Sequence, residues 1–390
     1  MAQLAPQNQC TGCTACESIC PHRCIHMVSD IEGFSYPIVD NTVCVNCGLC
    51  QSVCPVLHHP KTPNLYTRAY AAICTQEEIR LKSTSGGVFT LLAKWIFDRG
   101  GVVFGAAYDE DFSVRHCVIS REDELQKLRT AKYAQSTLGD TFAKVYDELK
   151  SGKYVLFSGT PCQIVGLQAY LKKPRERLIT VDVVCHGVPS PKVWQHYIAY
   201  RREHDAPGCR IDAINLRSKV TGWPGYSVRF LYNNGTCYSA RNNEDPFLKG
   251  FVGDYYLRPS CYECEFKGVS RNSDFTLADY WGVWSQLPEY NDGKGTSLVL
   301  VHSPVARQIW SQIQAYLRCQ ELDPLKSVEE NPSALAASGK PQNREEFWKR
   351  YQDEDFTALI TELLPPPAPP QKQTLLKRVV RRAKRIVKGK

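Results

Sequence analysis

The chain has 390 residues, of which 43% are hydrophobic and 23% are charged, as is typical of a globular protein with two or three domains. It contains no run of about 18 or more apolar residues, so we expect no membrane-spanning helix. Residues 1–9 lack the basic and apolar regions of a secretory signal peptide, which favours a cytoplasmic location. The net charge is +8, but residues 371–390 contain nine Lys or Arg and no acid. Subtracting those nine charges leaves −1, which argues against a nucleic-acid-binding body.

Cysteine usage and composition divide the chain into four sections. Nine of the 18 cysteines lie within residues 1–60, and clustered cysteines in a reducing compartment are more often metal ligands than disulfides. We predict a cysteine-rich module over 1–60, a linker over 61–69 and an α/β domain over 70–350. A proline spacer and a basic tail follow over 351–390.

The cysteine-rich module contains the same motif twice. Both blocks fit C-x2-C-x2-C-x3-C-P, in which three cysteines bind one [4Fe–4S] cluster and the fourth binds the other. The predicted ligands of cluster I are Cys10, Cys13, Cys16 and Cys54, and those of cluster II are Cys44, Cys47, Cys50 and Cys20. The alternative is a pair of zinc sites, which would instead favour CxxC pairs.

The third section alternates strand-like apolar runs with amphipathic segments. Strands are predicted at Tyr70–Ile73, Gly101–Ala107, Cys117–Ser120, Tyr154–Ser158, Leu178–Val184, Phe275–Ala278 and Ser297–His302. Helices are predicted at Val88–Phe97, Glu122–Leu128, Thr141–Leu149, Ile164–Leu171, Lys192–Arg202 and Pro304–Leu317. Asn233-Asn234-Gly235 predicts a hairpin between Tyr226–Tyr232 and Thr236–Ala240. The fold class is therefore α+β / α/β, a ferredoxin-like module followed by an α/β domain with a largely parallel or mixed sheet.

Two polar segments are candidates for a nucleotide-binding site. The run Ser83-Thr84-Ser85-Gly86-Gly87 leads into a predicted helix, and helix N-termini present free N–H groups to phosphates. The segment Ala131–Ser136 offers a cation, an aromatic ring and polar groups. The alternatives are an ordinary capped helix and a solvated loop. No G-x-G-x-x-G motif follows a strand, which argues against a standard dinucleotide fold.

Four later cysteines form a possible third metal site. Cys162 and Cys185 each follow a predicted buried strand, and Cys261 and Cys264 form a CxxC. Because neighbouring strand ends meet at one edge of an α/β sheet, four thiolates could gather there. Zinc, a redox-active CxxC and packed thiols remain alternatives. The remaining cysteines have no partner pattern and are interpreted as packed thiols: Cys24, Cys74, Cys117, Cys209, Cys237 and Cys319.

From Tyr70 to about Trp310, the chain resembles the coenzyme F420 hydrogenase/dehydrogenase beta-subunit family. The matching motifs are Ser85-Gly86-Gly87, Lys132-Tyr133 with Gln135-Ser136, Gly159-Thr160-Pro161-Cys162-Gln163, Cys185-His186-Gly187-Val188-Pro189-Ser190, Cys261-x-x-Cys264-x-Phe266 and Asp279-Tyr280-Trp281-Gly282. An N-terminal ferredoxin module is also common in this family.

The resemblance implies a flavoprotein that holds FAD beside a further [4Fe–4S] cluster, with Cys162, Cys185, Cys261 and Cys264 as the ligands of that cluster. The implied FAD contacts are Ser83, Thr84, Ser85, Gly86, Gly87, Lys132, Tyr133, Gln135, Ser136 and Thr160. Two candidate catalytic residues follow. His186 could move a proton, with a structural histidine as the alternative, and Lys132 could stabilise an anionic flavin or a phosphate. Asp279 is assigned no role.

We therefore expect an oxidoreductase that passes electrons between ferredoxin-type clusters and FAD. A flavin can take up two electrons together and release them singly, which suits it to link a hydride donor to clusters. The expected partners are a redox protein or ferredoxin and a small organic substrate or deazaflavin, without a specific nucleic acid. The first alternative is an electron-transfer subunit of a larger complex with no substrate site of its own. The second is a scaffold with structural clusters.

The C-terminal tail has its own pattern. Five prolines in residues 363–370 form a stiff spacer. Beyond them, apolar residues recur at helical spacing among Lys and Arg, as in helices that lie on anionic lipid. We expect a peripheral location at the inner face of the membrane, or binding to an acidic partner or RNA, or a solvated tail.

Overall fold

The computed structural model describes residues 2–60, 66–173 and 175–364. The N-terminal module contains the helices α1 (Ala15–Ile19) and α2 (Leu49–Ser52) and the antiparallel strands β1 (Ile25–Ser29) and β2 (Ser35–Val39). Its helices are short because each follows a tight cysteine-rich turn. The N-cap residues of the two helices, Thr14 and Gly48, both have positive φ, at 60° and 76°.

The rest of the chain contributes eleven strands, which are divided between two sheets. They are β3 (Arg68–Cys74), β4 (Val102–Tyr108), β5 (Val114–Ile119), β6 (Val155–Gly159), β7 (Leu178–Val183), β8 (Ile211–Ser218), β9 (Ser227–Tyr232), β10 (Cys237–Arg241), β11 (Phe275–Asp279), β12 (Ser297–Val301) and β13 (Leu317–Leu322).

The larger sheet has eight strands in the order β13-β3-β12-β11-β7-β6-β4-β5. Strands β4, β6, β7 and β11 are parallel neighbours, whereas β5, β12, β3 and β13 pair antiparallel. The predicted mixed sheet is confirmed. Its central strands are continuous apolar runs because helices cover both faces. The carboxyl ends of the four parallel strands meet at one edge, where α/β proteins usually bind ligands.

Ten helices complete the described chain. They are α3 (Glu77–Leu81), α4 (Val88–Phe97), α5 (Thr141–Lys150), α6 (Pro161–Leu171), α7 (Pro191–Asp205), α8 (Pro246–Val252), α9 (Val283–Gln286), α10 (Pro304–Ile313), α11 (Arg344–Arg350) and α12 (Phe356–Leu363). Helices α6, α7, α8 and α10 each have proline in the first turn, where its missing N–H costs nothing.

The smaller sheet is antiparallel, in the order β10-β9-β8, and contains the predicted hairpin. It packs on an aromatic core with α7, α8, α11 and α12. The core aromatics include Trp194, Tyr197, Phe230, Phe247, Tyr256, Phe347 and Phe356, each at most 1% exposed.

Three elements differ from the sequence prediction. Glu122–Lys127 forms a 3₁₀-helix rather than an α-helix, as short segments often do. The predicted helix Pro304–Leu317 ends at Ile313, and Leu317 begins β13, because the edge of β3 offers backbone partners there. The body also extends past the predicted boundary at residue 350, since α12 is packed into the core.

The linker and the tail lie largely outside the described residues. Residues 61–65 are not described, and β3 begins at Arg68, inside the predicted linker. The proline run from residue 365 and the basic tail over 371–390 also lie outside the described ranges, so the membrane and partner expectations for the tail stay predictions. None of the helices in the described ranges is long and apolar enough to cross a bilayer.

The N-terminal module is fixed to the α/β domain by buried polar contacts. Arg258 is 1% exposed and donates to the backbone oxygens of Cys10 and Ser35, at 2.7 and 3.0 Å. Arg344 forms a bidentate pair with Glu32, at 2.9 and 2.5 Å. Hydrogen bonds in this two-pronged geometry are strong and directional. The module is therefore held in one orientation relative to the sheet edge.

Candidate functional site

The cysteines predicted for cluster I line one small cavity. Cys10, Cys13, Cys16 and Cys54 come together there although Cys54 belongs to the second motif. Burial raises the pKa of Cys13 to about 12, and the neighbouring thiols of Cys10 and Cys54 add to the rise. Thiolates crowded together in a buried position need a compensating cation, which the irons of a cubane would supply.

The cysteines predicted for cluster II line a second cavity. Cys20, Cys44, Cys47 and Cys50 surround it, so the predicted exchange of the fourth ligand between the motifs is reproduced by the fold. Cys47 is the exposed member of the group. Cys24, interpreted from sequence as a packed thiol, is buried in the same cavity, with its Sγ 3.4 Å from that of Cys20.

The four later cysteines also gather at one place. Cys162 lies in the first turn of α6, Cys185 follows β7, and Cys261 and Cys264 lie in and just after the 3₁₀-helix Pro259–Glu263. Burial raises the pKa of Cys162 well above its usual value, and the thiols of the other three raise it further. Burial likewise raises the pKa of Cys185 to about 11. The sheet edge thus brings together residues about 100 positions apart in sequence.

Within the described ranges, no three Cys, His, Asp or Glu side chains converge closely enough to bind a single metal ion. Cubane ligands need not converge in this way, because each cysteine of a [4Fe–4S] cluster binds a different iron. The sulfur atoms then surround the cluster instead of pointing at one centre.

Helix α6 connects the third cysteine group to cluster I. A Cβ added to Gly166 would lie 2.8 Å from the Cβ of Cys13 and 3.0 Å from its Sγ. Cys162 precedes Gly166 by four residues, about one helical turn or roughly 6 Å. Glycine at position 166 therefore lets the cluster I cysteine approach the same helix that carries Cys162.

A cavity of about 540 Å³ lies at the carboxyl ends of β4, β6, β7 and β11. Cys185 and His186 line it, so the third cysteine group borders the cavity. The predicted flavin contacts that line it are Ser83, Thr84, Ser85, Gly87, Lys132, Tyr133, Ser136 and Thr160. Gly86 and Gln135 are not among the lining residues. The structure therefore gathers most of the predicted contacts around one space.

The loop before α4 is shaped by its two glycines. Gly87 has φ +96° and is the N-cap of α4, whose first turn has no side-chain cap and lines the cavity. A Cβ on Gly86 would lie 2.1 Å from the carbonyl oxygen of Ala72. Gly86 N–H donates to Ser297 Oγ at 2.9 Å. Gly86 thus fixes the loop against the sheet, while the residues after it face the cavity.

Lys132 borders the cavity, but its ammonium group is already engaged. Its Nζ donates to the backbone oxygens of Lys127 and Arg129 at 2.7 Å, and lies 3.4 Å from that of Thr130. Burial lowers the pKa of Lys132 to about 7. An ammonium group has three N–H donors, so little capacity remains for the predicted contact with a flavin or phosphate.

Gln135 has a different role from the predicted flavin contact. Its amide donates to the backbone oxygen of Thr11 at 3.1 Å and accepts from Arg258 at 2.8 Å. Gln135 therefore connects the segment lining the cavity to the turn that carries the cluster I cysteines.

A buried histidine that the sequence analysis missed completes the polar wall. His116 is 6% exposed, and its Nε2 donates to the backbone oxygen of Ser158 at 3.0 Å. Its Nδ1 must then accept from Ser136, whose Oγ lies at 3.0 Å and also accepts from Gln163. Burial lowers the pKa of His116 to about 4, so it is neutral near pH 7. Only its position opposite Ser136 in the fold reveals this pairing.

His186, the predicted proton carrier, faces an acidic partner. Its Nε2 lies 2.6 Å from Asp254 Oδ1, and its Nδ1 lies 3.2 Å from Ser333 Oγ. The close pair does not have ideal hydrogen-bond angles, since both atoms lack a geometrically satisfied bond. Asp254 has φ +66°, a conformation that costs free energy in a residue other than glycine. The fold accepts that cost where it places a carboxylate beside His186.

The sequence analysis also missed Arg217. Its Nη2 lies 2.5 Å from Asp279 Oδ2, and Asp279 Oδ1 accepts from Trp223 Nε1 at 2.9 Å. Arg217 lines the cavity and is 6% exposed. Asp279, to which the sequence analysis assigned no role, is therefore the residue that orients this guanidinium.

Comparison with known proteins agrees with the two-part organisation. Residues 152–325 match the family described as the C terminus of the coenzyme F420 hydrogenase/dehydrogenase beta subunit. Residues 9–57 match the 4Fe-4S dicluster domain. No curated protein matches the sequence. Among solved structures, a chain of the F420-reducing [NiFe] hydrogenase complex from Methanosarcina barkeri is similar over 80% of this chain and 99% of that chain. The two have 17% identity and a TM-score of 0.48.

Proposed function

We propose, from the premise that residues 152–325 belong to the coenzyme F420 hydrogenase/dehydrogenase beta-subunit family and follow a 4Fe-4S dicluster domain, that this iron–sulfur protein is a flavin-dependent oxidoreductase. It would pass electrons between ferredoxin-type clusters and FAD, and so reduce or oxidise an organic substrate or a deazaflavin-type coenzyme. The ferredoxin clusters follow from the dicluster domain. The third cluster and the FAD are the further parts of the proposal.

The observation that carries the proposal is the position of the third cysteine group beside the cavity. Cys185 lines the cavity directly, and Cys261 Sγ accepts from the backbone N–H of Val188, another lining residue, at 3.5 Å. Backbone N–H groups that point at cysteine sulfur are a common means of tuning cluster potential. A third [4Fe–4S] cluster held by Cys162, Cys185, Cys261 and Cys264 would thus border the space available for a cofactor.

The residues around the cavity suit FAD. The uncapped N-terminus of α4 and the guanidinium of Arg217 are suited to phosphates. Apolar and aromatic lining residues, including Tyr133, Phe251 and Trp281, suit a flat ring system. When bound, FAD would supply the chemistry that links two-electron transfer at the substrate to one-electron transfer at the clusters. The protein orients the ring, limits water and places His186 as the candidate proton carrier.

The same contacts suggest the order of the iron–sulfur sites. Cluster II has an exposed cysteine, Cys47, whereas cluster I lies against α6 through Cys13 and Gly166. Cys162 is on that helix one turn away. We infer that electrons enter or leave at cluster II and reach the third cysteine group through cluster I.

The decisive experiment is anaerobic cofactor analysis of the full chain. Iron and acid-labile sulfide are measured per chain, and flavin is extracted and identified by chromatography. About twelve irons with one FAD would support three cubanes and a flavin and would justify a substrate screen that includes a deazaflavin. About eight irons without flavin would refute both the third cluster and the FAD, and would leave a ferredoxin fused to a domain of another role.

The second candidate function is an electron-transfer subunit that has no substrate site of its own. The exposed side chains of Val43 and Val45, at 47% and 59%, lie on either side of the cluster II ligand Cys44 and favour contact with another redox protein. Turnover of the isolated, cofactor-loaded chain with a soluble substrate would reject this candidate. Turnover only after addition of a co-purifying protein would support it.

A further inference from the structure

Three cationic side chains line the cavity, and they differ in their free donors. Lys132 spends its ammonium group on backbone oxygens. Arg129 is half-buried, with its Nε 3.1 Å from Thr90 Oγ1 and its Nη1 3.4 Å from Gln126 Oε1. Arg217 is buried and uses Nη2 for Asp279, but its Nε has no hydrogen-bond partner among the described residues. Arg217 is thus the buried cation with a donor to spare.

An unsatisfied buried N–H is costly, typically about 1–3 kcal/mol. The fold nevertheless holds the guanidinium of Arg217 firmly, between Asp279 and the ring of Tyr226, whose centroid lies 3.8 Å from the guanidinium carbon. Because both oxygens of Asp279 are occupied, by Arg217 and by Trp223, the carboxylate cannot turn to satisfy the remaining donor. An acceptor atom supplied by a ligand in the cavity would remove the cost.

The position of Arg217 indicates what kind of ligand group that is. Asp279 is directly opposite Ser297 in the sheet, and Ser297 Oγ accepts from Gly86, next to the N-cap of α4. Arg217 and the free N–H groups of α4 therefore border the same end of the cavity. Lys219 secures this end, because its Nζ donates to the backbone oxygens of Ser85 and Arg80, at 2.8 and 2.9 Å.

We propose that Arg217, oriented by Asp279, and the N-terminus of α4 together bind the diphosphate group of a dinucleotide. Guanidinium groups bind phosphate oxygens through directional, charge-assisted hydrogen bonds, and helix N-termini add backbone donors and a favourable dipole. The assignment rests on the proposed function for the identity of the dinucleotide as FAD. It replaces Lys132, the sequence candidate for a phosphate contact, with a residue outside the recognised motifs.

The test compares two flavins that differ in the diphosphate. FAD and riboflavin are titrated anaerobically into the flavin-stripped full chain, and flavin fluorescence gives each Kd. Arg217→Gln leaves Asp279 buried without its partner, so the double variant Arg217→Gln/Asp279→Asn is measured beside it. We expect both variants to raise the Kd for FAD about 10- to 100-fold, the loss of a charge-assisted hydrogen bond, and to leave the Kd for riboflavin unchanged. The cluster absorbance spectrum verifies folding.

Matched variants sharpen the result. Arg210→Gln removes an exposed arginine paired with Asp212 and should change neither Kd. Arg129→Gln should weaken FAD less than Arg217→Gln, since water screens a half-exposed charge.

The outcomes separate the inference from the function on which it rests. Unchanged FAD affinity in both Arg217 variants, or equal loss of FAD and riboflavin, would overturn the diphosphate assignment while leaving the flavin site intact. If the unaltered chain binds neither flavin, the proposed function fails, and the assignment fails with it.

Discussion

The ferredoxin module and the α/β domain gather their cysteines in opposite ways. In the module, two contiguous motifs supply all eight predicted ligands, and short turns with positive φ at Gly12 and Gly48 bring them together. In the α/β domain, Cys162, Cys185 and Cys261 come from separate elements and meet only because β6 and β7 are parallel neighbours. A local motif announces its chemistry in sequence, whereas an assembled site depends on the fold.

The largest expected effect tests whether the assembled group really is a cluster site. Cys185→Ser should remove about four irons per chain and leave about eight, and should abolish any substrate turnover. Cys319→Ser alters a half-buried cysteine on β13, outside all three groups, and should leave the iron content unchanged. Iron analysis and electron paramagnetic resonance of the reduced protein provide the measurement. Full iron content in Cys185→Ser would end the analogy between the two regions.

The second effect concerns the loop at the cavity. Gly86→Ala places a Cβ 2.1 Å from a backbone oxygen, so the loop must move and the α4 N-terminus with it. We expect FAD affinity to fall at least about tenfold, equivalent to the loss of one good hydrogen bond, with no loss of iron. In Gly339→Ala the added methyl group meets no atom within 4 Å, and FAD affinity should be retained. Equal affinities in the two variants would show that the loop does not contact flavin.

The third effect tests the junction between the two regions. Gly166→Ala should lower the free energy of unfolding by about 1–3 kcal/mol through overpacking against Cys13, although alanine normally stabilises a helix. The cluster I resonance signal should shift, and that of cluster II should not. Gly225→Ala adds a methyl group in open space and serves as the control. A stabilised Gly166→Ala with unaltered spectra would mean that α6 does not contact cluster I closely.

The smallest effect is a pH dependence that arises from His116. Its pKa is lowered to about 4 by burial, whereas an unfolded histidine titrates near 6.5. Between these values the unfolded state binds the extra proton, so stability falls as the pH drops from about 6.5 to about 4. We expect the decrease in Tm over this range to be smaller in His116→Gln than in the unaltered chain, as measured by anaerobic scanning fluorimetry. Parallel Tm curves would show that His116 is not held neutral by the fold.

Sequence reasoning predicted the secondary structure best where a pattern was continuous. Val88–Phe97 is a helix with the predicted bounds, and the buried strands near residues 155 and 178 differ from prediction by at most a residue at each end. Edge strands such as β13 were missed because their residues read as part of a helix until β3 provides partners. The helix α12 was missed because the proline run after it dominated the composition of that section.

The candidate site divides in the same way. The sequence by itself determined the two ferredoxin ligand sets, the CxxC at Cys261 and the small-residue loop before α4, because turns, spacing and residue chemistry are local properties. Only the tertiary structure decided that Arg217 would be the buried cation with a free donor and that Lys132 would not. The reason is physical: a charged side chain's hydrogen-bond capacity depends on which backbone and side-chain atoms the fold places around it, and for Arg217 these come from Asp279 and Tyr226 in other strands and loops.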